Sequence, residues 1–100
     1  MTLDGPSKQG LISATTGSVT EVKIGASAFT ERKMVTIQPL GGTVRVYFAD
    51  EGIVPSAATV GSDGIKHFKN QLNSYEATNQ QTMYIVSESG TFNVVIIEIA

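Results

Sequence analysis

Cysteine is absent from this 100-residue chain, as is tryptophan, and histidine occurs once. Without cysteine there can be no disulfide staple and no thiolate metal site. One histidine leaves only scattered carboxylates for any other metal centre, so none is expected. Charge is scarce too. Charged residues make up 16% of the chain, well under the usual quarter. Seven basic side chains against nine acidic ones give a net charge of −2. The basic residues are dispersed, the nearest to a cluster being Glu31-Arg32-Lys33 with its own acid. A nucleic-acid partner calls for a basic stripe that neutralises several phosphates, and none is present. Long apolar runs are missing as well. The longest, Val94-Val95-Ile96-Ile97, is far too short to cross a bilayer. Met1 to Pro6 lacks the basic start and apolar core of a signal peptide, so a soluble protein made in a cytoplasm is expected, with no membrane partner.

What remains is a chain 41% apolar, rich in Ser, Thr, Gly, Asn and Gln. Its β-branched content argues against disorder throughout. The length suits one domain, which at this size buries about two-thirds of its unfolded surface and often gains stability from partner subunits.

Residues 1–17 carry few large apolar groups, chiefly Leu3, Leu11 and Ile12, and read as a flexible N-terminal arm, either a frayed tail or a segment that orders on a neighbouring subunit. Its removal is expected to leave the fold intact and weaken assembly. Residues 18–100 read as a single β domain. Val19, Val22 and Ile24 mark a first strand. Met34 to Gln38 alternates, with Val35 and Ile37 on one face, and Pro39 ends it. After Leu40-Gly41-Gly42, read as a turn exploiting positive φ, Thr43 to Phe48 alternates with Val44, Val46 and Phe48 inward and Arg45 and Tyr47 outward. The pair reads as a hairpin.

Residues 49–62 are irregular, with turn chemistry and a short strand near Thr59-Val60. Ile65 to Phe68 alternates, with Ile65 and His67 on one side. Residues 69–82 admit a strand, a helical turn or a loop. Thr82 to Val86 and Phe92 to Ile99 flank Ser87-Glu88-Ser89-Gly90 as a second hairpin. The run at 94–97, apolar on both faces, predicts a central strand whose loss severely destabilises the fold. No segment shows a sustained helical period. The expected fold is all-β: a small β-sandwich, jelly-roll-like domain or barrel of about six to eight antiparallel strands.

Catalytic chemistry finds little footing. His67 lies near Ser62 and Asp63, but triads are assembled in space and not from adjacent residues, so it reads as a surface or edge-strand histidine. Asp50, Glu51 and Asp63 lack calcium-loop spacing and read as turn formers. No phosphate-binding glycine motif occurs. No catalytic, metal or cofactor-binding residue is assigned, and no cofactor is expected. Tyr47 and Tyr84 face outward by alternation, and read equally as exposed interface anchors or as half-buried cross-strand packing residues. The candidate interface residues are therefore Leu3, Leu11, Ile12, Arg45, Tyr47 and Tyr84.

The order of segments carries a resemblance. Val22 to Phe29 leads through Arg32-Lys33-Met34-Val35-Thr36-Ile37-Gln38-Pro39 to Val44-Arg45-Val46-Tyr47-Phe48-Ala49. Asp63-Gly64-Ile65-Lys66 follows, then Met83-Tyr84-Ile85-Val86-Ser87-Glu88-Ser89-Gly90-Thr91 and a final Val/Ile-rich strand. Across residues 19–100 this resembles small β-sandwich virion proteins of tailed bacteriophages. The resemblance implies a non-enzymatic structural role in the virion, first as a capsid decoration (cement) protein on the major capsid protein. The alternatives are a head–tail connector, collar or fibre-base component, and a host-surface or carbohydrate-binding module. It also implies a homo-oligomer, dimeric or trimeric.

Overall fold

The computed structural model describes residues 7–24, 32–50, 52–76 and 82–99. Eight strands and one short helix follow in order: β1 (Ser7–Thr15), β2 (Thr20–Glu21), β3 (Met34–Pro39), β4 (Val44–Ala49), α1 (Ala57–Asp63), β5 (Ile65–His67), β6 (Asn73–Glu76), β7 (Thr82–Ser87) and β8 (Thr91–Ile99). They form two antiparallel sheets of four strands. Sheet A has the order β1-β8-β3-β6 and sheet B the order β2-β7-β4-β5.

One apolar cluster belongs to both sheets. Ala14, Val35, Ile37, Val94 and Ile96 enter it from sheet A, and Val44, Val46, Met83 and Ile85 from sheet B. Alternation names Val35, Ile37, Val44 and Val46 correctly, because a strand with one face on the core buries every second side chain; Ala14, in the expected arm, it does not name. β8 lies between β1 and β3, as its doubly apolar run predicts.

The two expected hairpins are not formed. β3 pairs with β6 and β8, while β4 pairs with β5 and β7. β7 and β8 likewise belong to different sheets. Both short connections therefore carry the chain from one sheet to the other. Alternation says which face of a strand is buried but not which strand lies beside it. Gly41 and Gly42 have another function than the expected positive φ: a Cβ on either would collide with the Phe92 ring. Positive φ instead occurs at Gly90, in the β7–β8 connection.

Two corrections and one open stretch concern local structure. Residues 7–15 are not a flexible arm but the nine-residue strand β1, paired with β8 from Ser7↔Ile99 to Thr15↔Thr91. Residues 1–6 lie outside the described residues. The short strand expected at Thr59-Val60 is helix α1, started by Ser56, whose Oγ accepts from the Thr59 amide at 3.1 Å. Seven residues with Val60 alone buried are too few to show a helical period. The undecided stretch contains β6, held beside β3 by register and by a 2.8 Å hydrogen bond shared between the Thr36 and Ser74 hydroxyls.

Across the two sheets β1 pairs with β8, β2 with β7, β3 with β6 and β4 with β5, and β8 and β7 pair also with β3 and β4. Among the described residues, no helix is long and apolar enough to cross a membrane.

Candidate functional site

The two sheets differ in what covers their outer faces. On sheet B, α1 packs over β4 and β7. Val60 and Ala57 close there on Tyr47, Ala49, Tyr84 and Val86, a second small apolar cluster. Tyr47 and Tyr84 are directly opposite each other in the β4–β7 register. Both point outward as expected, yet they lie beneath the helix and do not form an exposed anchor. Tyr84 is 7% exposed. Burial, and then the negative charge of Glu21, push its hydroxyl above the ordinary tyrosine range.

Sheet A carries no described helix on its outer face. Register sets three rows of side chains there. Leu11, Val95 and Gln38 form one row. Gln9, Ile97, Thr36 and Ser74 form the next, and Ser7, Ile99, Met34 and Glu76 the third. Leu11 is 58% exposed, and Val95, Ile97 and Met34 are half-buried. The middle of this face is apolar, its margin is hydroxyl and amide, and its one charge, Glu76, stands on the outermost strand. Depletion of charge at the centre with a polar rim is the composition of protein–protein interfaces.

Arg45 belongs to a different place. A depression of about 410 Å³ lies between the β1–β2 turn, α1 and the ends of β4 and β7, lined by Thr16, Gly17, Arg45, Ala57, Gly61, Val86, Ser87 and Glu88. Arg45 Nε donates to Glu88 Oε1 at 2.9 Å, and its Nη1 donates to the Gly64 carbonyl at 3.1 Å. Lys66 Nζ stands 3.7 Å from the same Glu88 oxygen. The wall of the depression thus carries one carboxylate shared by two cations, beside Ala57 and Val86.

The six candidate interface residues do not converge. Leu11 is on the outer face of sheet A, whereas Arg45, Tyr47 and Tyr84 share the outer side of sheet B. Ile12 turns inward and packs against the main core. Leu3 lies outside the described residues. Sequence reasoning passed over Val95 and Ile97, although the doubly apolar β8 run signalled them, and over Met34 at the start of β3. It also passed over Glu88, whose contact with Arg45 spans 43 residues and leaves no local trace.

His67 is an edge-strand residue, on β5, but it is not on the surface: it is 1% exposed. Its Nδ1 lies 3.0 Å from the Ile65 carbonyl, which makes Nδ1 the protonated nitrogen and Nε2 the acceptor for the Tyr75 hydroxyl. Tyr75 stands on β6, so this pair joins the edges of the two sheets. Burial lowers the His67 pKa against an opposing contribution from the Ile65 carbonyl, and raises that of Tyr75. Both ring nitrogens of His67 are thereby engaged in structure. Among the described residues, no three His, Asp or Glu side chains gather to hold a metal ion.

Scanned against family models, curated proteins and solved structures, the chain matches none.

Proposed function

We propose that this chain is a non-enzymatic structural protein of a phage virion, a decoration subunit that binds the major capsid lattice through the outer face of sheet A. The observation that carries the reading is that face: apolar at its centre, with Leu11 exposed and Glu76 its one charge among the described residues, and with no described helix over it while the opposite sheet has one. An open apolar patch with a polar rim marks a surface that another protein covers.

The strand order supports the same reading. We infer a jelly roll, since pairing 1 with 8, 2 with 7, 3 with 6 and 4 with 5 in two sheets is an eight-stranded ribbon wrapped into two Greek keys. Viral capsid proteins use this architecture, but so do lectins and cupins, so the fold supports the role only by analogy. The resemblance of residues 19–100 to small tailed-phage virion proteins narrows the choice. A decoration subunit needs rigidity and many repeated weak contacts, which together give strong attachment.

A second reading draws on the depression beside Arg45. Its wall offers both a guanidinium donor, Arg45, and a carboxylate acceptor, Glu88. A hydroxyl both accepts from a guanidinium and donates to a carboxylate, so a neutral sugar is the ligand class that fits a host-surface module.

Co-sedimentation with mature capsids separates the two. The wild-type protein is expected to pellet with the particles, and Val95→Lys, placing a charge at the centre of the face, is expected to remain in the supernatant while keeping its circular dichroism. Equal binding by both proteins would remove the sheet A face from the interface.

A further inference from the structure

Among the described residues four strands form the edges of the two sheets, and they are unequal. β2 has two residues, β5 three and β6 four, whereas β1 has nine. Soluble proteins keep open edges short, charged or bulged, because an unpaired ladder of amides and carbonyls recruits another strand. Three edges here follow that rule. β1 does not: it holds no proline and a single charged residue, Lys8, and it pairs in unbroken register with β8 along its whole length.

The strand is also complementary to itself. Its midpoint is Leu11, the exposed leucine. Laid antiparallel against a second β1 about a two-fold axis through that residue, Leu11 meets Leu11. Gln9 meets Ser13 and Ser7 meets Thr15, and the four residues Ser7, Gln9, Leu11 and Ser13 are all exposed. Lys8 falls opposite Ala14, so no like charges face each other. An interface in which the same patch meets itself is the commonest way for a protein to dimerise.

We propose that β1 is the dimerisation edge of this protein: two copies add their β1 strands antiparallel, centred on Leu11, and join two four-stranded sheets into one of eight. The doubled sheet presents two copies of the sheet A face side by side. The dimer itself does not depend on what that face binds.

The absence of cysteine makes the register directly testable. Directly opposed residues of antiparallel strands have Cα atoms about 4.5–5.5 Å apart, within disulfide reach. Residues 9 and 9′ of the paired strands would be about 14 Å apart, well beyond it. Wild-type protein is expected to have the mass of a dimer by light scattering. Under mild oxidation Leu11→Cys is expected to cross-link fully, Gln9→Cys and Ser13→Cys alone not at all, and a mixture of the last two to give the mixed dimer. A monomeric wild type would overturn the proposal, and so would cross-linking of all three variants to the same extent, which signals random collision. Loss of capsid binding in Val95→Lys with the dimer intact separates this proposal from the function proposed above.

Discussion

Glu98 is an acid at the core end of a strand of valines and isoleucines, with no part of its side chain reaching water. Its Oε2 accepts from Arg32 Nη1 at 3.0 Å and its Oε1 from the Ile24 amide at 2.9 Å, while Arg32 also reaches the Val22 carbonyl. The carboxylate thereby ties both ends of the β2–β3 connection to β8. Desolvating such a pair costs nearly what its attraction returns, but removing one partner strands the other charge. Glu98→Gln is expected to lower unfolding free energy by about 3–5 kcal/mol in a urea titration. Arg32→Met combined with Glu98→Met is expected to recover much of that loss. A loss under about 1 kcal/mol, the value of a solvated surface pair, would contradict a buried clamp. His67 gives the fold a pH dependence of known sign. Its folded pKa lies below the ordinary imidazole value of about 6.5, so the unfolded chain binds the extra proton first. Its contribution is complete above about pH 6.5 and declines as the pH falls from there through the lower folded value. Thermal unfolding between pH 7.5 and 5 is expected to show this decline in the wild type and to lose it in His67→Gln. Neither residue's role was legible in the sequence. Each depends on a partner brought by another strand, and a lone Glu or His within a β pattern carries no mark of burial.

At the scale of elements, legibility follows length and alternation. β3, β4, β7 and β8 were readable to within a residue or so at most ends, since each concentrates β-branched and aromatic residues between turn formers. β1 was not, because Leu11 and Ile12 stand next to each other among small polar residues, and its order comes from β8. The difference between an arm and a strand has consequences for truncation. Removing residues 1–17 bares one edge of β8 and takes Ala14 and Ile12 from the core. The shortened chain is expected to show no cooperative thermal transition, and a native-like transition would restore the arm. Helix α1 offers the opposite kind of change. A Cβ on Gly61 would meet nothing within 4 Å, so Gly61→Ala is expected to add about 0.5–1 kcal/mol by restricting the unfolded chain.

At the scale of the molecule, the sequence told strand from loop but not strand from strand. A glycine-rich connection between two alternating segments reads as a hairpin, yet here it crosses between sheets, because β3 and β4 each find better-matched neighbours far along the chain. Pairing of the first described strand with the last places β1, a nine-residue edge among the described strands, next to the outer face of sheet A. On that edge and face rests the central claim, the proposed decoration role. Its most direct test is the number of copies per particle, measured by quantitative mass spectrometry of purified virions against the major capsid protein. The account predicts a copy number commensurate with the capsid lattice. A handful of copies would move the protein to a connector, collar or fibre base, and none at all would contradict a virion role.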